Sequence, residues 1–333
     1  MDTYLGIDIG GTKSAVVLGE RTRPEDIASL APTDRIAFPT ETQEGLEACL
    51  RRIFAAADQL LSRNRGRGGG LSGIGVSCGG PLDSARGIVL CPTFLPGWVD
   101  VPIVELLQQR YGVRARLQND ANACALAEWR HGAGVGTRNM IFLTFGTGMG
   151  AGLILDGRLY EGTNDLGGEV GHLRLAEDGP RGYGKAGSFE GFCSGGGIAL
   201  LARAEAEKAL AAGRAVSFCA DRAALESITS RDVGDAAEAG DPLAREVLAV
   251  SGRFLGRGLA MLIDVLNPEC IVIGSIFVRC RRFLQAAMDE EIAREALPGA
   301  ARACTVVPAR LGDSIGDYAC LSVAVDGLEK ESQ

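Results

Sequence analysis

Short apolar runs that end in glycine alternate along the chain with longer segments whose apolar residues recur at helical spacing. Strands are predicted at residues 33–38, 74–78, 114–117, 158–163, 270–273 and 304–307. Helices are predicted at residues 41–61, 102–111, 194–212, 242–266 and 281–295. Glu190 is predicted to begin the helix that continues through 198–210, and a closing helix follows a loop at 312. This alternation predicts an α/β fold.

Two stretches have the same sequence pattern, an apolar run followed by a glycine-containing turn and a second apolar run. They are residues 4–18, YLGIDIGGTKSAVVL, and residues 143–155, LTFGTGMGAGLIL. Each is interpreted as a β-hairpin whose glycines leave backbone N–H groups uncovered, and such a concavity can hold phosphate oxygens. A tight hairpin turn explains one such loop equally well. Two in one chain suggest a triphosphate held from both sides.

The glycine loops differ from the common nucleotide-binding motifs. Neither contains G-x-x-x-x-G-K-[ST], and Gly10, Gly11, Thr12 and Lys13 lead into a β-rich run where a dinucleotide fingerprint would open a helix. A Walker NTPase and a Rossmann dehydrogenase are therefore disfavoured. Asp8 lies in an apolar strand just before the glycines, and a carboxylate there is costly to bury unless it faces a cation or solvent.

Composition and charge limit the classes of protein that fit this sequence. The 333 residues suffice for two domains with a substantial core, and 46% apolar residues with 47 glycines are typical of a soluble α/β protein. A formal charge of −8 argues against a nucleic-acid surface, because phosphate binding needs a concentrated basic stripe. The basic run at 63–70, RNRGRGGG, is interpreted as a solvated connector.

The first residues do not have the pattern of a secretion signal. MDTYLGIDIGG places an acid where a signal peptide has a basic residue, and a strand where it has a longer apolar stretch. No apolar run reaches the length of a membrane span, so we expect a cytoplasmic protein. The ten cysteines are dispersed and form no C-x-x-C pair, which predicts buried, reduced thiols.

Polar residues follow several predicted strands. The strand at 114–117 is followed by Asn119 and Asp120, which precede strong helix formers. Asn119 is a natural N-cap, and Asp120 falls in the first turn of the helix. Asp120 is either an acid stabilised by the helix dipole or the group that orients a substrate hydroxyl. Gly80 follows the strand at 74–78, at the sheet edge where ligands bind in open α/β sheets.

Further candidates lie in glycine-rich segments of the second half. Glu169 and His172 sit three apart in GGEVGHLRL, a spacing that aims both side chains the same way in a turn or helix. A lone histidine is more often structural, but a polar pair among glycines suits a polyhydroxylated ligand. Glu190 precedes another glycine cluster in GSFEGFCSGGG.

Five motifs in chain order resemble those of the ROK family of bacterial sugar kinases, within the actin-like ATPase and hexokinase superfamily. They are DIGGTK, NDAN, LTFGTGMGAG, GGEVGH and IVIGS. The resemblance implies two α/β domains with mixed sheets, flanked by helices, around an interdomain cleft. Residues 1–118 with 315–333 would form a small N-terminal domain, and 119–314 a larger C-terminal one. Family members that act as repressors carry a helix-turn-helix before DIGGT, for which we expect no room here.

The resemblance also implies roles for individual residues. Asp8 would position Mg²⁺ bound with ATP, and Asp120 would be the catalytic base. The nucleotide would contact Gly10, Gly11, Thr12 and Lys13 from one side, Gly146, Thr147 and Gly148 from the other, and Gly274 with Ser275 at the adenosine. The sugar would contact Gly80, Asn119, Asp120, Glu169, His172 and Glu190. A homodimer formed through the larger domain is expected on the same ground.

The chain departs from the family at a zinc motif. Members usually carry C-x-C-G-x-x-G-C-x-E after the GH pair, whereas residues 181–190 here are RGYGKAGSFE. Without thiolates there is no tetrahedral site, so we predict no zinc, with His172 as a sugar contact and packing by Tyr183 and Phe189 holding the loop instead. A second departure is Gly79-Gly80-Pro81 where Pro-Gly-Pro is usual.

The sequence therefore predicts an ATP-dependent kinase acting on the 6-hydroxyl of glucose or a related hexose. Within enzymes, the alternatives are a kinase for an N-acetylated amino sugar, such as N-acetylglucosamine or N-acylmannosamine, and a fructokinase. A sugar sensor without catalytic activity is the alternative from another class. Retention of Asp8, Asp120 and both glycine loops argues against the sensor.

Overall fold

The computed structural model describes residues 2–23, 26–64 and 69–330, with side chains to 326. Half of the predicted basic connector at 63–70, residues 65–68, lies outside the described residues. Within them the chain forms two five-stranded sheets, two small two-stranded sheets and ten α-helices. None of these helices combines the length and the apolar character that crossing a lipid bilayer requires.

The first large sheet is built from the N-terminal part of the chain. The strands there are β1 (Asp2–Ile9), β2 (Lys13–Arg21), β3 (Leu30–Pro39), β4 (Leu71–Cys78), β5 (Leu82–Asp83), β6 (Ile88–Val89) and β7 (Ala115–Asn119). The sheet order is β3-β2-β1-β4-β7, with β1, β2 and β3 antiparallel and β1, β4 and β7 parallel. Strands β5 and β6 form a separate hairpin. The predicted first hairpin is confirmed.

The second large sheet repeats this arrangement. Its part of the chain contains β8 (Met140–Phe145), β9 (Met149–Leu155), β10 (Arg158–Tyr160), β11 (Arg181–Gly182), β12 (Lys185–Ala186), β13 (Cys270–Ile273) and β14 (Thr305–Pro308). The order is β10-β9-β8-β13-β14, with an antiparallel half followed by a parallel half. The second hairpin is confirmed, whereas the strand expected at 158–163 ends at Tyr160.

Ten helices cover the sheets. They are α1 (Leu46–Arg63), α2 (Ile103–Tyr111), α3 (Asp120–His131), α4 (Phe189–Phe192), α5 (Gly195–Ala211), α6 (Ser230–Glu238), α7 (Pro242–Leu266), α8 (Ile276–Glu295), α9 (Pro298–Ala303) and α10 (Ile315–Lys330). Helix α1 begins five residues later than predicted because Gly45 has a positive φ of 82° with ψ 175°, which no helical residue adopts. The single helix expected from Glu190 is wrong: α4 ends at Phe192, and Ser194 caps α5 separately.

Helix α10 packs between the two large sheets. Cys320, Leu321 and Ala324 join the apolar cluster on the first sheet, while Ala319 and Val323 join the cluster formed by α3 and the second sheet. A β-carbon at Gly75 would lie 2.1 Å from the Cys320 carbonyl oxygen, so glycine permits this close approach. The mixed α/β architecture is confirmed, and the domain boundaries at 119 and 315 remain a prediction.

The ten cysteines are free thiols, and all of them lie in the described part of the chain. Seven are buried, Cys124 and Cys304 are partly buried, and Cys91 is exposed. Burial raises the pKa of the Cys49 and Cys270 thiols, which makes the reactive thiolate scarce. These cysteines therefore act as small apolar side chains in the core.

Candidate active site

A cavity of about 850 Å³ opens where loops from both large sheets meet. Nine predicted site residues line it: Gly80, Asn119, Asp120, Gly146, Thr147, Gly148, Glu169, His172 and Glu190. These residues come from five separate parts of the chain, so the fold brings the predicted sugar residues and the second glycine loop to one place.

Asp120 lies at the corner where β7 passes into α3. The Asn119 side chain accepts a hydrogen bond from the Asn122 N–H at 2.7 Å, which confirms the predicted N-cap. One carboxylate oxygen of Asp120 accepts from the Ala121 N–H at 2.8 Å. Desolvation by the surrounding cavity wall raises the pKa of Asp120, although the residue is exposed to the cavity, and this backbone hydrogen bond partly offsets the effect. Asp120 is therefore a fixed carboxylate with enhanced proton affinity on the cavity wall.

Gln118, which was not predicted as a site residue, holds this corner in place. Its buried Oε1 accepts hydrogen bonds from the Asn119 N–H at 2.8 Å and the Asn122 Nδ2 at 3.0 Å. Its Nε2 donates to Glu161 Oε1 at 2.7 Å, which ties the corner to the segment after β10. The side-chain amide of Gln118 therefore fixes the backbone segment that carries Asp120.

The second glycine loop, Gly146–Gly148, is held by hydrogen bonds at both of its ends. The Gly195 N–H donates to the Gly146 carbonyl at 2.7 Å, and the Met149 N–H donates to Glu190 Oε2 at 3.0 Å. A β-carbon at Gly146 would have no neighbour nearer than the Ser275 hydroxyl oxygen at 3.9 Å. The space beside the Gly146 α-carbon is therefore open to a ligand, although the Gly146 N–H itself donates to the Gly148 carbonyl at 3.2 Å.

The first glycine loop does not line this cavity. Thr40 fixes it, because the Thr40 hydroxyl donates to the Gly10 carbonyl at 2.6 Å and the Thr40 N–H donates to the Thr12 carbonyl at 3.0 Å. Seven predicted nucleotide or metal residues are absent from the lining: Asp8, Gly10, Gly11, Thr12, Lys13, Gly274 and Ser275. Ser275 nevertheless lies beside Gly146, at a left-handed φ of 51°.

Electrostatics links Asp8 to Asp120. Burial raises the pKa of Asp8 to about 6, with further contributions from the charges of Asp120 and Asp317, while Arg35 and Ser77 partly offset the rise. A buried carboxylate whose ionisation is opposed by acidic neighbours fits a site for a divalent cation, which would remove the repulsion. Mg²⁺ needs only one or two carboxylates when a nucleotide supplies other oxygens.

The far wall of the cavity carries Glu169 and His172 on a short 3₁₀ turn, Val170–His172. The His172 ring meets the Tyr183 ring edge-on, with centroids 5.1 Å apart. In residues 2–23, 26–64 and 69–330, no group of three or more His, Cys, Asp or Glu side chains is placed to hold a metal ion. The wall is therefore built from hydrogen-bonding and aromatic groups.

Several lining residues were missed from the sequence. They are Pro81, Leu82, Ala121, Thr144, Met149, Gly150, Ala151, Asp165, Leu166, Gly168 and Tyr183. Asp165 and Leu166 lie in the run GTNDLGGE, whose glycine, asparagine and aspartate content signals a turn but does not indicate which side chains face the cavity. Their position follows from contacts with residues distant in the chain.

Comparison with known proteins identifies the family of the chain. The profile of the ROK family matches residues 4–323. The chain is 31% identical over 315 residues to a glucokinase of Halalkalibacterium halodurans, covering 94% of this chain and 92% of that protein. The ROK hexokinase structure from Thermus thermophilus is 29% identical with a TM-score of 0.77, covering 99% of this chain and all of that one.

A third relative was solved with ligands. The ROK family glucokinase of Streptomyces griseus, in complex with glucose and AMPPNP, is 27% identical with a TM-score of 0.73, covering 97% of this chain and 99% of that chain. The likeness to these structures confirms the predicted actin-like α/β fold and supports a sugar kinase. With a family profile that spans nearly the whole sequence, the chain belongs to the ROK family.

Proposed function

We propose that this protein is an ATP-dependent kinase that phosphorylates the 6-hydroxyl of glucose or a related hexose, with Asp120 as general base. The observation that carries the proposal is the position of Asp120 on a cavity wall shared with the second glycine loop, Gly146–Gly148. A carboxylate and a phosphate cradle facing one space are what transfer of a phosphoryl group to an alcohol requires.

Asp120 acts by orienting the acceptor hydroxyl and taking its proton. Phosphoryl transfer has a loose transition state, so the protein mainly aligns the alcohol and stabilises charge on oxygen atoms. The raised pKa of Asp120 brings its proton affinity closer to working pH, which improves a general base. Its hydrogen bond from Ala121 keeps the second carboxylate oxygen available for the sugar.

The remaining residues divide between the two substrates. Asn119, Glu169, His172 and Glu190 offer hydrogen bonds to the other sugar hydroxyls, and Gly80 lets the backbone approach the sugar. Magnesium bound with the nucleotide would neutralise charge on the transferred phosphoryl group. We assign Asp8 to hold it, and Gly10, Gly11, Thr12, Lys13, Gly274 and Ser275 to the nucleotide, in a cleft between the small and large domains.

The test is a coupled assay of ADP release with Mg²⁺, ATP and a panel of sugars. The panel contains glucose, mannose, fructose, N-acetylglucosamine and N-acetylmannosamine. We expect sugar-dependent ADP release, highest with glucose or a close relative. If activity is highest with an N-acetylated sugar or with fructose, that sugar replaces glucose as the proposed substrate. No turnover with any sugar, despite measurable ATP binding, would contradict the kinase and favour a sugar sensor.

A further inference from the structure

We propose that the hairpin β11–β12 holds the His172 turn without a metal ion, through the Tyr183 ring and the Lys185 ammonium group. Tyr183 and Lys185 are then positioning residues for the sugar-facing wall of the cavity. This inference rests on the proposed kinase function for its kinetic consequence, but the structural consequence is measurable without turnover.

The side chains do not fit the zinc site that the family motif implies. Arg181, Tyr183 and Ser188 stand where that motif has cysteines, and none supplies a thiolate. Arg181 uses its guanidinium within the hairpin, donating to the Gly184 carbonyl at 3.1 Å. The hairpin therefore needs another means of attachment to the His172 turn.

Backbone hydrogen bonds from Leu175 to Gly187 and from Phe189 to Leu173, both at 2.8 Å, join the base of the hairpin to the residues after His172. Two further contacts reach His172 itself. The Tyr183 and His172 rings lie at 71° to each other, an edge-to-face arrangement that aromatic pairs prefer. The Lys185 Nζ donates to the His172 carbonyl oxygen at 2.6 Å. One hairpin turn thus fixes both the ring and the backbone of a residue on the cavity wall.

The backbone conformation and the exposure of Tyr183 indicate that its side chain has a role at the cavity. Tyr183 has a left-handed φ of 46°, which is unfavourable for a bulky residue, and Gly184 follows at 79°. The side chain is 79% exposed, so core packing does not require an aromatic residue there. It nevertheless lines the cavity. Strain without burial, beside a ligand cavity, points to a role at the site.

The base of the hairpin is anchored independently of its tip. The Gly187 N–H donates to the Pro180 carbonyl at 3.1 Å, and the buried Ser188 hydroxyl accepts from the Gly191 N–H at 3.1 Å as the N-cap of α4. Helix α4 carries Glu190. Loss of Tyr183 or Lys185 should therefore loosen the tip and the His172 turn while α4 stays in place.

Kinetics give the first test. Tyr183→Ala should raise the KM for the sugar about tenfold, with the KM for ATP unchanged, whereas Tyr183→Phe keeps the ring and should behave like wild type. Lys185→Met should also raise the sugar KM. The matched control is Tyr160→Ala, because Tyr160 is another exposed tyrosine and does not line the cavity. An unchanged sugar KM in Tyr183→Ala would overturn the positioning role.

Hydrogen exchange gives a test that needs no activity. Amides of 170–173 should exchange faster in Tyr183→Ala than in wild type, Tyr183→Phe and Tyr160→Ala, and treatment of wild type with a zinc chelator should leave exchange unchanged. Equal exchange in all variants, or bound zinc whose removal speeds exchange, would overturn the proposal. If wild type phosphorylates no sugar, the proposed function fails, while exchange and metal content still decide this inference.

Discussion

The Glu190 carboxylate accepts a hydrogen bond from the Met149 N–H at 3.0 Å and so joins α4 to the second glycine loop. The same oxygen would lie 2.9 Å from a β-carbon at Gly148, so the loop approaches the carboxylate as closely as glycine allows. Glu190 also lines the cavity. One side chain therefore couples the sugar wall to the proposed phosphate cradle.

Glu190→Ala should impair both substrates because it removes this coupling. We expect kcat/KM to fall about tenfold to a hundredfold, since a hydrogen bond to a charged group contributes roughly 1.5–3 kcal/mol. Glu190→Gln keeps an acceptor oxygen and should lose less. Steady-state kinetics with each substrate varied provide the measurement, with the exposed Glu205→Ala as control. Wild-type kcat/KM for both substrates in Glu190→Ala would contradict the coupling.

A second contact joins the two halves of the fold at the cavity rim. Ser84 donates twice to Asp165, from its N–H at 2.8 Å and from its hydroxyl at 2.6 Å. Ser84 lies between β5 and β6, and Asp165 follows β10 of the second sheet. Their neighbours Leu82 and Leu166 line the cavity.

Asp165→Ala should raise the KM for the sugar about tenfold, because losing both hydrogen bonds releases the loop that carries Leu166. Asp156→Ala is a matched control, since Asp156 and Asp165 both have left-handed φ, at 52° and 61°. Both substitutions place an alanine at a left-handed φ and therefore carry the same backbone strain, but only Asp165 contacts Ser84. Equal sugar KM values in the two variants would show that the contact does not support the site.

The sequence was sufficient to predict those features that depend on local chemistry. The two hairpins and the Asn119 cap follow from alternation, glycine position and a polar residue before helix formers. The break between α4 and α5 was missed because Ser194 caps a new helix inside a run that has good helix formers after it.

Long-range contacts could not be predicted in this way. Ser84 and Asp165 are 81 residues apart, and nothing in the spacing of either residue indicates the other. The role of Gln118 is similar, because a buried amide shows its value only once its partners Asn122 and Glu161 are in place. Such residues require the fold before they can be recognised.

Stability should depend on pH through His131, the last residue of α3. Burial, reinforced by the Arg130 charge, lowers the pKa of His131 to about 4, and its ring lies 4.9 Å from the Tyr318 ring. The unfolded chain therefore binds the proton more tightly, and the free energy of unfolding falls as pH decreases from about 6.5 to 4. His131→Phe keeps a ring and removes this titration.

The comparison of these two proteins isolates the histidine from the carboxylates that titrate in both. We expect wild type to lose about 1–2 kcal/mol more than His131→Phe over this pH range, allowing for solvent screening of a partly exposed group. Urea unfolding at several pH values provides the measurement. Parallel pH profiles for the two proteins would show that His131 does not titrate as assigned.

Asp120→Asn tests the central claim most directly, because asparagine keeps an acceptor for the Ala121 N–H but cannot take a proton. Sugar phosphate formation and sugar binding should be measured on the same preparation, using the best sugar from the panel. We expect the sugar dissociation constant to stay within a few-fold of wild type while kcat falls about a hundredfold or more. Wild-type turnover by Asp120→Asn would contradict the assignment of Asp120 as the base.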